Sequence, residues 1–504
     1  MKRILTIISA VAALFSVASC NLEKFPSTAI NSEEAMESVA DCKAFRNGLY
    51  SGLKYAFTGA YVYYQDLQAD LFHAVKNFGN WGGPYYSYNV TAADDAAYGI
   101  WFGLYSYIGN ANFLIAGTEK LLASGTLDES DTQTVQQYYG EACYIRAHLL
   151  FNLTQYFCED YDPETAGTKF GVPVVTKYAP TADSDKYPHR GTLEATYEQI
   201  VKDLDEAEKY ITAAGSVNAA YVTKDVVTAL QARVALTMHD YETALLKAKT
   251  LIDSGTYKLM SDATAYAKGW VNDNLTETIW RIAMTGPDDY GNTYGYFIYN
   301  TTGEEGNDDP QYIPEDWVLD LYDQENDIRY GAYFDEREVS VRFTGTVTLF
   351  VKYPGNPTLY SKVSNYAHMP KVFRISEMYL IAAEAAYNIG GQDAVACKYL
   401  NDLRAKRIAG YEAQNYNGTA LRNEIRDERT KELYGEGFRL NDLKRWHIGF
   451  TRSAGQDPSF LQQGPNYAVC TREADDPYFL WPIPEDEIQA NPQMKNEQNE
   501  AYKR

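Results

Sequence analysis

Two stretches of the chain hold aromatic residues at a density suited to recognition chemistry. Phe78, Trp81, Tyr85, Tyr86 and Tyr88 fall within eleven residues, interleaved with Gly79, Gly82 and Gly83. Tyr290, Tyr294, Tyr296, Phe297 and Tyr299 fall within ten, with Gly291 and Gly295 among them. Glycine gives such loops backbone freedom and leaves neighbouring rings unshielded. A flat ring face suits a pyranose, whose patch of C–H bonds packs on the π-cloud. The hydroxyls at the sugar's edge then need polar partners, or desolvation makes binding unfavourable. Asp70, Asn77, Asn80, Asn300 and Asp308 are near enough in sequence to supply them. Both stretches therefore read as sugar-binding loops, with Asp70, Asn80, Trp81, Tyr85, Tyr86, Tyr88, Tyr290, Tyr294, Tyr296, Tyr299 and Asn300 as the site. The competing reading is core packing, since tyrosine is often buried with its hydroxyl satisfied. It is preferred for Trp101, Phe102 and Tyr105, which fall in a helical stretch.

Other chemistries find less support. The sequence holds no H-E-x-x-H, no G-x-S-x-G and no Walker A pattern, and its 6 histidines are scattered. Gly435-Glu436-Gly437 lacks the third glycine and preceding strand of a nucleotide fingerprint. The acidic run Glu304, Glu305, Asn307, Asp308 and Asp309 offers oxygens to calcium but not the spacing of an EF-hand, so it reads as a solvated loop, and no cofactor is expected. Glu428, Glu432, Asp442 and Arg439 look like acid–base material. Glu428, Arg429 and Glu432 are at helical spacing, and the set reads better as a partly buried ion-pair network in which Arg439 and Arg445 satisfy them. A binder rather than an enzyme is expected. The two carboxylates of a glycosidase need not be close in sequence, so with 68 acidic residues that alternative stays open here.

The elements that must position these residues are mostly helical. Ala142, Ile145, Leu149, Leu153 and Tyr156 recur at three- and four-residue steps, as do Ile200, Leu204, Ala207 and Ile211. Lys224 to Met238 and Tyr241 to Ile252 form a helical hairpin around His239-Asp240. A second runs from Glu377 to Arg407, broken at Gly390-Gly391. Both are rich in alanine, which lets neighbouring helices approach closely, and both resemble tetratricopeptide units. Val339 to Val351 alternates about Thr344-Gly345 and reads as one β-hairpin. The predicted fold is mostly α: an α-superhelical scaffold of tetratricopeptide-like hairpins with a loop-rich ligand-binding half and a minor β-hairpin.

The 504 residues carry 45 basic and 68 acidic side chains, a net charge of −23. That argues against nucleic acid and anionic lipid surfaces, which demand a basic footprint. Tyrosine, at 44 residues, outnumbers leucine. Lys2 and Arg3 precede an apolar stretch, Ile4 to Ala18, too short to span a membrane comfortably, and Val17-Ala18-Ser19-Cys20 follows. Residues 1–19 therefore read as a lipoprotein leader and Cys20 as the lipidated residue. Cys42, Cys143, Cys158, Cys397 and Cys470 are odd in number, with no C-x-x-C, and read as core residues. Cys143 and Cys158 are about 22 Å apart if helical, beyond disulfide reach.

Several stretches together resemble the SusD/RagB family of outer-membrane nutrient-binding lipoproteins of the Bacteroidetes. Arg426 to Trp446 (RDERTKELYGEGFRLNDLKRW) is similar to the family signature ER..EL..EG.R..DLKRW. Leu480 to Pro492 (LWPIPEDEIQANP) resembles its PIP..EI..NP ending. Glu141 to Phe157, followed by Gly171 to Val175, resembles its E..F.RA..YF.L…GVP.V pattern. Leu440-Asn441 replaces the usual aromatic pair, and Cys158 stands where glycine is frequent. The resemblance implies one structural unit, with halves at 20–230 and 231–504, held by lipid at the cell surface. It implies a protein that binds glycan and delivers it to a TonB-dependent SusC-like transporter in the outer membrane. A peptide ligand, or a lid with little affinity of its own, are the alternatives the family leaves open.

Overall fold

In the computed structural model the described residues are 35–284, 286, 308–360, 366–452 and 455–503. Helices dominate: α1 (Val39–Ala56), α2 (Ala60–Gln68), α3 (Asp95–Ala123), α4 (Glu129–Phe157), α5 (Leu193–Tyr210), α6 (Lys224–Thr237), α7 (Tyr241–Ser254) and α8 (Ala263–Val271). After a loop-rich segment come α9 (Ile375–Ile389), α10 (Asp393–Arg407), α11 (Gly418–Glu432) and α12 (Arg439–Arg445). Local chemistry starts most of the long ones. The Ser38 side chain and Asp41 form a capping box on α1, and the Asp128, Thr192, Thr223, Asp240 and Asp262 side chains cap α4 to α8.

The helices pack in sequence, α3 on α4, α4 on α5, α6 on α7 and α9 on α10, and α7 also packs on α9 across the loop-rich insertion. Buried alanines make the close approach possible: Ala244 and Ala248 on α7 face Ala382, Ala383, Ala385 and Ala386 on α9 within one core. Both predicted helical hairpins are present, with the turns expected at His239-Asp240 and Gly390-Gly391 found at residues 238–240 and 390–392.

The insertion builds its own core, and it is aromatic. Tyr63, Phe72, Tyr86, Tyr266, Trp270, Tyr312, Tyr322, Tyr333, Phe350, Tyr353 and Tyr434 cluster there. Their hydroxyls are satisfied internally: Tyr322 donates to the Lys431 carbonyl (2.8 Å), Tyr353 to Gly435 (2.9 Å) and Tyr434 to Leu71 (3.1 Å). Many of the surplus tyrosines thus fill an interior rather than a surface.

Strands are short and antiparallel. β1 (Phe72–Ala74) pairs with β3 (Tyr312–Pro314), and β2 (Thr278–Arg281) with β6 (Lys371–Arg374). β4 (Phe334–Val339) and β5 (Gly345–Phe350) form the predicted hairpin, in register from Phe334↔Phe350 to Val339↔Gly345. The pairing begins earlier than the alternation indicated, because Asp335, Glu336 and Arg337 interrupt the apolar pattern while still completing the ladder.

The charged signature is structural, with partners other than those expected. Glu428 is bound by Arg329 (2.6 Å) and Arg404 (2.6 Å), and Glu432 by Arg329 (3.0 Å), Arg374 (2.7 Å) and Arg407 (2.9 Å), all deeply buried. Arg439 instead grips Asp70, and Arg445 pairs with Glu384 and Asp442. Helical spacing shows which carboxylates share a face but not which distant arginines reach them. Gly435 has φ +71°, and a Cβ there would lie 2.4 Å from the Phe350 ring, so this glycine serves close packing. Cys42, Cys143, Cys158, Cys397 and Cys470 are free and buried.

Candidate functional site

The β1–β3 pairing carries the first aromatic loop to the surface. Beyond β1, the Val75 amide donates to the Gln311 carbonyl (3.1 Å) and the Lys76 amide to Phe460 (2.8 Å). The Asn77 amide donates to the Gln462 side chain (3.2 Å), and the Gly79 amide to that of Gln311. Two distant parts of the sequence, at Gln311 and at Phe460 to Gln462, therefore fix residues 75–79.

Within this loop Asn77 (φ 59°), Asn80 (φ 58°) and Gly82 (φ 70°) are left-handed, a conformation asparagine and glycine adopt at low cost. The two intervening glycines seat the exposed side chains. A Cβ on Gly79 would lie 2.8 Å from Trp81 Cδ1, and one on Gly83 would lie 1.9 Å from Asn80 Oδ1. The indole therefore rests against bare backbone at Gly79, and the Asn80 amide against Gly83. Trp81 remains 53% exposed. Beside it the Tyr467 hydroxyl reaches Asn80 Oδ1 at 3.4 Å, and the half-buried Phe78 ring packs on Tyr312. The result is an exposed indole with an amide and a phenol on its flank, suited to a ring with an apolar face and a hydroxylated edge.

The other predicted residues of this stretch lie elsewhere. Tyr85, Tyr86 and Tyr88 are buried, contrary to the expectation of exposed rings. Residues Gly83–Tyr86 form a single helical turn that rotates the tyrosines inward. Tyr85 packs 4.0 Å from Trp481 and donates to Asp94 (2.7 Å). Arg452 lies 3.6 Å over Tyr86 and Arg472 3.8 Å over Tyr88, whose hydroxyl donates to the Gln68 carbonyl (2.7 Å). Burial pushes all three phenols above their ordinary pKa. Asp70 is also buried, held by both Arg439 nitrogens at 2.7 and 2.8 Å, and does not face the loop's solvent side.

Asp308 pairs with Arg337 (3.2 Å) and Asp309 with Arg342, which also donates to the Asn77 carbonyl. Each of these two carboxylates thus faces an arginine. Tyr290, Tyr294, Tyr296, Tyr299, Asn300, Glu304, Glu305, Asn307 and Cys20 lie outside the described residues. Of the helical aromatics, Trp101 is buried against Phe157 and Tyr105 donates to the Pro173 carbonyl (2.8 Å). Phe102, expected in the core, is 59% exposed and stacks on Tyr98 at the next turn of α3.

Gln311, Gln462 and Tyr467 escaped sequence reading. Nothing local marks them, because they meet the loop only through chain pairing across more than two hundred residues. The β-propensity of Tyr312-Ile313 beside Gln311 was the one available signal. A crevice lies away from this loop, between α2, α4, α6 and α12.

Two family profiles match the chain, one described as the SusD family over residues 284–502 and one as "starch-binding associating with outer membrane" over residues 22–236. A SusD superfamily protein from Bacteroides thetaiotaomicron has a similar structure, with 28% identity, a TM-score of 0.77, and coverage of 92% of this chain and 99% of that one. A putative sugar binding protein from Bacteroides vulgatus shows 26% identity and a TM-score of 0.77, covering 93% and 100%. SusD-like protein P25 of Formosa agariphila is 24% identical over 97% of both chains.

Proposed function

The chain belongs to the SusD family, and on that premise we propose that it binds oligosaccharide or polysaccharide at the cell surface through the Trp81 loop and delivers it to a TonB-dependent SusC-like outer-membrane transporter. The observation that carries the binding role is the half-exposed Trp81 indole seated on Gly79 beside Asn80 and Tyr467. A stacked sugar would place its C–H face on the indole and its hydroxyls within reach of the Asn80 amide and the Tyr467 phenol. The sugar binding named for the Bacteroides vulgatus relative and the starch binding named in the N-terminal profile support the ligand class.

Tyr290, Tyr294, Tyr296, Tyr299 and Asn300 complete the site in this reading. Asp309, which follows that stretch in sequence, is tied to the Trp81 loop through Arg342, which also donates to the Asn77 carbonyl. Attachment is by lipid on Cys20 in this reading, since the leader pattern Val17-Ala18-Ser19 ends at that cysteine. The role is binding, not catalysis. Two described carboxylates beside the loop, Asp308 and Asp309, are each paired with an arginine, Arg337 and Arg342.

The test is calorimetric titration of the mature chain against a panel of polysaccharides and peptide digests. Saturable binding to one glycan class is expected, reduced at least tenfold, about 1.4 kcal/mol, in Trp81→Ala with a nearly unchanged Tm. Binding to peptides alone would replace the glycan reading. Silence across the panel would leave a transporter lid.

A further inference from the structure

We propose that the enclosed crevice between α2, α4, α6 and α12 is a second, interior binding site, for a single small neutral polyhydroxylated ring such as a monosaccharide. Its volume is about 170 Å³. An apolar cavity of about 150 Å³ holds one benzene ring, so this space has room for one six-membered ring.

Its walls combine the two surfaces such a ring needs. Phe57, Phe151 and Phe438 supply apolar faces. The polar groups are built into buried positions. His148 is 2% exposed; its Nδ1 is engaged by the Tyr144 hydroxyl at 3.1 Å, while its Nε2 is buried without a protein partner. Arg429 is 3% exposed and spends Nε on Asp442 at 2.7 Å, leaving Nη1 likewise unpartnered. Asn152, half-buried on α4, adds an amide that no hydrogen bond ties to the described residues. Buried polar atoms are ordinarily hydrogen-bonded, and leaving one unmade costs about 1–3 kcal/mol. A ring bearing hydroxyls answers donors and acceptors together.

A neutral occupant fits the wall, where the Lys444 ammonium donates to the Gln155 and Cys158 carbonyls at 2.8 and 3.2 Å. The arginines on the wall are already paired: Arg233 with Glu377 at 2.7 Å, Arg429 with Asp442, and Arg445 with Glu384 and Asp442. Burial and the nearby Arg233 hold His148 far below its ordinary pKa, so it enters as a neutral imidazole. None of the Trp81 loop residues lines this space, so the inference stands apart from the surface site.

The test uses D-glucose as probe, with saturation-transfer NMR on the mature chain as wild type, Trp81→Ala and Trp81→Ala/Asn152→Leu. Glucose binding is expected to survive in Trp81→Ala and to weaken at least tenfold when Asn152→Leu is added. Loss in Trp81→Ala alone, no effect of Asn152→Leu, or no saturable binding to the wild type would each overturn the proposal. A wild-type crystal soaked in glucose gives a readout that depends on no variant folding. Ring-shaped density beside Asn152 is expected, and ordered waters alone would refute the site. Polysaccharide titration of the same variants reports on the surface loop separately.

Discussion

At the scale of single residues, backbone conformation decides which aromatic rings are available. Trp81 is exposed because Gly79 offers bare backbone for the indole to rest on and left-handed Asn80 and Gly82 flank it. Tyr85 and Tyr86, a few positions later, are buried because one helical turn aims them at Trp481, Tyr312 and Arg452, and Tyr88, just past that turn, is buried under Arg472. Gly79→Ala is therefore expected to displace the indole and weaken glycan binding several-fold while shifting Tm by only a few degrees, read by titration and calorimetry on one preparation. Unchanged affinity would mean that the ring's seat is irrelevant to binding. The sequence made the aromatic density plain, but density does not say which rings point outward. Tyr85, Tyr86 and Tyr88 are buried by partners from residues 312, 452, 467 and 481, which no local pattern connects to them.

At the scale of elements, the helices were legible and the arginine network was only half so. Apolar periodicity located α4 to α7 and α9 to α10, because that signal is local. The signature on α11 announced a charged, partly buried face, yet its partners Arg329, Arg374, Arg404 and Arg407 come from three other segments. Burial alone would raise the pKa of Glu432, but Arg407, Arg374 and Arg329 outweigh it and hold the carboxyl well below the usual range. Glu432→Gln leaves these guanidinium groups short of a charge in the interior. The expected cost is about 3–5 kcal/mol of unfolding free energy, measured by chemical denaturation. A change within about 0.5 kcal/mol would show the network to be dispensable.

At the scale of the whole molecule, buried titratable groups set the pH range of stability. Burial, with Lys371 adding repulsion, lowers His368 to about 4, and burial keeps His148 neutral as well. Both protonate more readily when unfolded, so stability falls as pH drops from about 6.5 toward 4. Glu428, Glu432 and Glu436 lie below their unfolded pKa of 4.5 and add a further loss beneath that value. On the alkaline side, Tyr144, Tyr322, Tyr333, Tyr353 and Tyr434 are pushed up by burial, so the unfolded chain ionises first and stability falls above pH 10. Lys352 and Lys444, lowered to about 8 by burial, add some stability between pH 8 and 10.5, too few to reverse the tyrosines. Thermal denaturation across pH should show stability level from about 6.5 to 8, rising between about 8 and 10 and falling above 10, and a maximum at pH 4 would contradict these shifts. Anchoring belongs to the same scale: Cys20→Ala should move the protein from the membrane fraction to the soluble one, and continued anchoring would refute lipidation at that residue. The most direct measurement is a crystal structure of the mature chain with the glycan that titration identifies. A sugar ring stacked on the Trp81 indole, with a hydroxyl at the Asn80 amide, is the predicted result. Glycan bound elsewhere, with that indole still facing solvent, would contradict it.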